Sequence, residues 1–230
     1  MFQEYANQGN VLEYIRSVSE TGFINEQQMR KWARSIYSAV DFLGTIGISH
    51  RAIQPKHLLL QYVEAVKDFR VKLSSFRDAV VYWNPDSNDI IYQPCKPVDM
   101  MKNAYFAAPE SFGNENEYFN PLDADVWSFG ATMLFIVARF PPYNVNNVTN
   151  KISLEIDKSI KGTKNLSEGA KSWLASMLQI NTKKRTNFNA IPQDNWFKEV
   201  DGGGGEGNGV LVNQSSSLTQ SFSFGSRIYF

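Results

Sequence analysis

Cysteine is nearly missing from this 230-residue sequence, Cys95 being the only one. A lone cysteine excludes an internal disulfide and a cysteine-based zinc cluster, and it suits a reducing compartment. Net charge is missing too, because 23 lysines and arginines balance 23 aspartates and glutamates. Nothing in that balance draws the chain to nucleic acid or to an anionic membrane. The longest apolar stretch, Val126 to Ala138, is interrupted by Ser128, Gly130 and Thr132 and falls short of the about 20 residues that cross a bilayer. The opening MFQEYANQGN has neither the basic start nor the apolar run of a signal peptide, and no internal repeat is visible. What is present is ordinary for a globular protein, 43% hydrophobic and 13% aromatic. The expectation is a soluble, cytoplasmic chain with no nucleic-acid or membrane partner.

Along the chain, residues 1–5 look like an extended scrap, and Asn7-Gln8-Gly9-Asn10 signals a turn before a short helix with Leu12 and Ile15 on one face. Asn25 followed by Gln28 resembles a capping box, and Met29, Trp32, Ile36, Val40 and Leu43 then recur at helical spacing until Gly44 and Gly47. His57–Leu60 and Arg70–Leu73 read as two short strands. Residues 77–107, with Pro85, Pro94 and Pro97, read as one long loop. Asp125 to Ala138 is apolar nearly all round, as in a central buried helix. Another amphipathic helix starts at Ser167, which caps it, and carries Trp173, Leu174, Met177 and Leu178. Packed order is expected to end near Val200, leaving residues 201–230 as a Gly/Ser-rich flexible tail.

Several short motifs follow one another in a fixed order. They are His50-Arg51-Ala52-Ile53-Gln54-Pro55-Lys56-His57; Ser75-Phe76-Arg77; Tyr105-Phe106-Ala107-Ala108-Pro109-Glu110; Asp125-Val126-Trp127-Ser128-Phe129-Gly130; Lys184-Arg185-Thr186; and Trp196-Phe197. This series resembles the H-R-D-L-x-x-x-N, D-F-G and A-P-E signatures of the protein kinases, followed by that family's central D-V-W-S-x-G helix and its closing K-R-x and W-F. The resemblance covers residues 1–200. Within the superfamily, EYANQGNVLEYI, RKWARSIYSAV and AYFAAPE are most similar to the testis-specific serine/threonine kinases. It implies a mainly α fold, a kinase C-terminal lobe with short β-hairpins, here without the N-terminal lobe, since no glycine-rich loop or V-A-I-K lysine precedes Phe2-Gln3-Glu4-Tyr5.

Three positions depart from the family where its chemistry sits. The resemblance implies a proton-accepting aspartate, a metal-holding asparagine and a Mg²⁺-holding aspartate, at positions that here are Ala52, His57 and Ser75. The lysine usual at Gln54 has lost its charge as well. Losing a general base commonly costs about 10²–10⁴ in rate, and neither a hydroxyl nor an imidazole suits a hard cation that prefers carboxylate oxygen. No second His or Cys stands at ligand spacing from His57. ATP and Mg²⁺, the family's cofactors, are therefore expected to be lost, with no catalytic, cofactor-binding or metal residue retained. Regulation is thinned too: between Arg77 and Ala108 the only serine or threonine is Ser87, although Arg51 matches the arginine that grips a phosphorylated activation loop in many kinases.

The architectural residues are retained. Glu110 and Arg185 match the family's buried ion pair, Asp125 the central aspartate that bonds the loop backbone, and His50 and Phe76 stacked members of its spine. Pro192 should shorten or kink the last helix. The resulting expectation is a truncated pseudokinase, not an enzyme, that binds a partner protein or itself through a lobe-facing apolar surface including Phe2, Leu59 and Phe76. Two alternatives stand beside it, a serine/threonine kinase that binds ATP and whose N-terminal lobe is absent from this gene model, and a decaying duplicate with no selected role.

Overall fold

Asn25 starts the first long element. In the computed structural model, which describes residues 5–18, 24–97, 100, 104–143 and 152–200, its side chain accepts from the Gln28 amide and opens helix α2, Glu26–Thr45. Such a cap satisfies one of the amides that a helix start leaves open. Met29, Trp32, Ile36, Val40 and Leu43 are all buried along one stripe of α2, so the spacing read from the sequence is the spacing that packs. The helix passes through Gly44 and stops at Thr45, and the left-handed turn comes at Gly47, with φ +71°, where glycine meets no Cβ penalty. The full capping box lies instead on the shorter α1, Val11–Ser17. There the Asn10 side chain accepts from the Glu13 amide while the Glu13 carboxylate accepts from the Asn10 amide.

Among the described residues the strands form four separate two-stranded antiparallel pairs. β1 (Ile48–Ser49) pairs with β4 (Val80–Val81). β2 (Leu58–Val63) and β3 (Asp68–Leu73) make the longest hairpin among the described residues, in register from Leu58↔Leu73 to Val63↔Asp68, each strand two residues longer than expected. β5 (Trp83–Asn84) pairs with β6 (Asp89–Ile90), and β7 (Gln93–Pro94) with β8 (Tyr118–Phe119). Residues 77–107 are therefore not one long loop: β4 to β7 all fall within them. Pairs of two residues are too short to leave a period-2 trace in sequence.

The core is organised around α3, Pro121–Ala138. It begins four residues before the apolar run, because Asn120 caps it and Pro121 occupies the first turn, where no amide partner is needed. Residues 124–134 are buried without a break. Its 18 residues would pass for a membrane span by length and composition, but 72% of them are buried inside the fold. α5 (Glu168–Met177), capped by Ser167, crosses α3 so closely that a Cβ on Gly130 would meet the Met177 Cβ at 2.9 Å. Between them in sequence, α4 (Ile152–Gly162) buries Ile152, Ile156 and Ile160; this helix was not anticipated. Pro192 lies inside a 3₁₀ turn, Phe188–Gln193, ahead of the short α6, Asn195–Lys198, as a proline in that place requires. The chain divides into two units, Met1–Glu199 and Val200–Phe230; Phe2 and the expected tail 201–230 lie outside the described residues.

One ion pair ties the ends of this scaffold together. The Arg185 guanidinium, its side chain 1% exposed, donates to both Glu110 carboxylate oxygens, to the Asp123 carbonyl and to the Gln179 carbonyl. It also lies 5.0 Å from the centre of the Trp127 ring. Glu110→Ala would leave that buried cation without its counter-charge. The expected loss is about 3 kcal/mol of unfolding free energy, read from urea denaturation; a loss below about 1 kcal/mol would assign the pair no structural weight.

Candidate functional site

The start of the loop between β1 and β2 is held by the Asp125 carboxylate, and its middle by the Thr132 hydroxyl, which donates to the Ile53 carbonyl at 3.0 Å. Asp125, buried on α3, accepts from the Ser49 hydroxyl at 2.7 Å, the His50 amide at 2.7 Å and the Arg51 amide at 2.8 Å. All three groups donate, so the arrangement is that of an anion. Burial pushes the Asp125 carboxyl up, and His50 and these donors pull it back down. The grip lets Arg51 adopt a left-handed φ of 61°, a conformation that a residue with a side chain holds only when its surroundings enforce it.

His50 is fully buried. The Ala52 amide donates to its Nδ1 at 3.3 Å, so its Nε2–H donates to the Ser74 carbonyl at 2.9 Å. Both nitrogens are committed in the neutral form, and burial holds the imidazole below its usual pKa. The Phe76 ring meets it edge-on at 5.0 Å and 73°; the contact expected from sequence is present, but perpendicular instead of stacked.

Pairing of β2 with β3 brings the three departing positions together. The Ser74 amide and hydroxyl both donate to the His57 carbonyl at 2.9 Å, which sets Ser75 beside the loop, in a left-handed turn with φ 68°. The His57 Nδ1–H donates to the Ala52 carbonyl at 2.8 Å, with the buried Gln54 amide a weaker neighbour at 3.3 Å. Burial, with Lys56 and His50 adding to it, keeps His57 neutral below its usual pKa. The positions thus hold a methyl, a committed imidazole and a hydroxyl. That donor set does not fit Mg²⁺ on a nucleotide, which takes carboxylate oxygen. Among the described residues no three His, Cys, Asp or Glu side chains gather as a metal cluster.

Beside this loop lies a cavity of about 310 Å³, lined by Arg51, Arg77, Asp78, Lys96, Ser111 and Ser128 among others. Arg51 reaches into it while donating to Gln93 at 3.3 Å and lying 5.9 Å from the Phe119 ring centre. Sequence reading did not select Arg77, Lys96 or Asp78. The signal was the string Ser75-Phe76-Arg77-Asp78, where an acid follows three residues after the departing serine. The Asp78 charge acts on His50, Arg51 and His57 together, in each case favouring the protonated form. Of the apolar surface expected to await a partner, Phe76 is 47% exposed, whereas Leu59 is half-buried and bridged to Asn10.

The structure thus contains a loop anchored by the buried Asp125 and a bidentate Glu110–Arg185 pair. The protein kinase domain model matches residues 1–197. This chain belongs to the protein kinase family. Its relatives include CBL-interacting protein kinase 9 of Oryza sativa subsp. japonica, 25% identical over 86% of this chain and 40% of that protein. Testis-specific serine/threonine-protein kinase 1 of Mus musculus is 25% identical over 85% of this chain and 50% of the relative. Serine/threonine-protein kinase PKH1 of Saccharomyces cerevisiae is 32% identical over 63% of this chain and 18% of the relative. The chain spans about half or less of the length of these curated relatives. The expectation that it is not an enzyme is corrected here: the matching family is one of enzymes, and relatives across 85% of the chain are serine/threonine kinases. Ala52, His57 and Ser75 are three positions, whereas the family match rests on residues 1–197.

The neutral histidines set a pH dependence. A histidine with its folded pKa held down binds fewer protons folded than unfolded, so stability is present above the unfolded pKa of about 6.5 and lost as pH falls through the folded value. Unfolding free energy should therefore drop between pH 7.5 and 5.5, by at most about 1.4 kcal/mol per pH unit for each proton taken up. His57→Asn should flatten that slope in urea denaturation; an unchanged slope would mean that His57 titrates freely when folded.

Proposed function

We propose that this chain is the helical C-terminal lobe of a serine/threonine protein kinase domain and that its own residues serve protein recognition. In this reading the cavity beside the loop receives an anionic group, a phosphate or carboxylate, from a partner or substrate protein. The observation that carries it is the convergence of Arg51, Arg77 and Lys96 on one cavity with the Ser111 and Ser128 side chains beside them. Guanidinium groups and an ammonium around a recess favour an oxyanion through charge-assisted hydrogen bonds. The segment from Arg77 to Ala108 carries Ser87 as its only serine or threonine, which supports a group arriving from another chain. The exposed Phe76 edge would lie on a protein-facing surface of the same lobe, and kinship with the relatives above supports a cytoplasmic setting.

A second reading is phosphoryl transfer to serine or threonine by the domain to which this lobe belongs. It is favoured by the family itself and by Asp78, the carboxylate whose charge reaches His50, Arg51 and His57. Titration calorimetry with a phosphothreonine peptide and its unphosphorylated twin tests the first reading. The phosphopeptide alone should bind, and Arg77→Ala with Lys96→Ala should weaken it about tenfold, each charged hydrogen bond contributing about 1.5–3 kcal/mol before solvent screening. Equal binding of the two peptides would sink the recognition reading. Radiolabelled phosphate transferred from ATP to a generic substrate, and lost on Asp78→Asn, would establish the second.

A further inference from the structure

Residues 41–49 and 79–92, none of which lines the cavity, form a surface with its own chemistry. Phe42 and Ile46 stand one turn apart on the last stretch of α2 and its cap, and they are 63% and 52% exposed. Ile46 leads into Gly47, where a Cβ would meet the Trp83 Cβ at 3.0 Å, so the base of the Trp83 side chain is laid against the turn that follows the helix. Ile48 pairs with Val81, itself 58% exposed. Tyr82 points the other way: it is buried, its hydroxyl donates to the Gly44 carbonyl and its amide to the Gly47 carbonyl. In an extended chain that orientation turns Val81 and Trp83 together to the outside. Helix end and strand thus present Phe42, Ile46, Val81 and Trp83 outward, on a backbone fixed by hydrogen bonds.

The charge on these two segments has one sign. They contain Asp41, Asp86 and Asp89 and no lysine or arginine, and all three aspartates are exposed. Large apolar side chains left in water on a rigid frame, with acids as the only charges on their own segments, describe a contact centre with a polar rim. The acidic rim repels anionic lipid and nucleic acid and selects a cationic partner. β1, β4, β5 and β6 are two residues each, too short to template an added strand, so recognition would run through side chains, in the manner of an amphipathic helix laid on an apolar surface.

We propose that this face docks a basic amphipathic segment of a partner protein, with Phe42, Ile46 and Trp83 as apolar anchors and Asp86 and Asp89 as the selecting charges. It is independent of the cationic cavity and of whether the domain transfers phosphate. The test uses the full chain and two fluorescein-labelled probes, an amphipathic helix of leucine and lysine and the same helix with glutamate in place of lysine, followed by anisotropy. The lysine helix should bind and the glutamate helix should not. Phe42→Ser with Ile46→Ser should weaken binding about tenfold. Asp86→Asn with Asp89→Asn should weaken it about threefold at low salt and reduce its salt dependence; the asparagines keep the side-chain oxygen that Asp89 offers to the Ile90 amide. Equal binding of both helices, or no loss in the Phe42/Ile46 variant with its circular dichroism melt unchanged, would overturn the proposal. A dimer in light scattering that the same variant dissolves would overturn it in favour of a second copy of this chain.

Discussion

The carboxylate of Asp125 is the constraint on which the site depends. It sits on the most deeply buried helix and takes the amides of two consecutive loop residues and the hydroxyl of the residue before them. Without it, two buried or half-buried N–H groups would lose their acceptor, at about 1–3 kcal/mol each, and Arg51 would relax from its left-handed conformation. The position of Arg51 at the cavity, the neutral tautomer of His50 and the approach of Ser74 to His57 all follow from where that loop is held. α3 is placed in turn by its apolar girth and by the close crossing at Gly130, and the core reaches the loop through Asp125 and, further along, through the Thr132 hydroxyl, which donates to the Ile53 carbonyl at 3.0 Å.

The same logic separates the scaffold from the chemistry. Glu110, Arg185 and Asp125 engage one another's surroundings as a kinase-family framework, while Ala52, His57 and Ser75 present no carboxylate. The loop does not sag around those substitutions. His57 uses its ring to bond the Ala52 carbonyl, so a side chain that departs from the family helps to stitch the loop, and Ser74 fastens the strand after it. Within reach of this frame lie a cationic cavity and a set of exposed apolar side chains on segments whose only charged residues are aspartates.

Much of this was legible in the sequence, and the reasons are local. α2 was readable because its cap and its buried stripe obey a period of 3.6, and α3 because it is apolar on every side. The ion pair and the Asp125 grip were readable only through the motif series, since nothing in composition or spacing brings Glu110 to Arg185 across 75 residues. What escaped was short or assembled in three dimensions. The two-residue strands between Val80 and Pro94 carry no periodic signal, and α4 is marked by three isoleucines at four-residue intervals that no cap among the described residues announces. Arg77, Asp78 and Lys96 look like ordinary surface charges until the fold curls the chain so that they face Arg51. The missing carboxylates are likewise local, three positions within a family match that spans residues 1–197.

Amide hydrogen exchange at His50 and Arg51 tests most directly whether one buried carboxylate organises the site. In the native chain both amides should exchange at the slow rate of the α3 core, and Asp125→Asn should speed both by at least about tenfold while the amides of α5 keep their protection. Rapid exchange of His50 and Arg51 in the native chain, or no change on Asp125→Asn, would contradict the account.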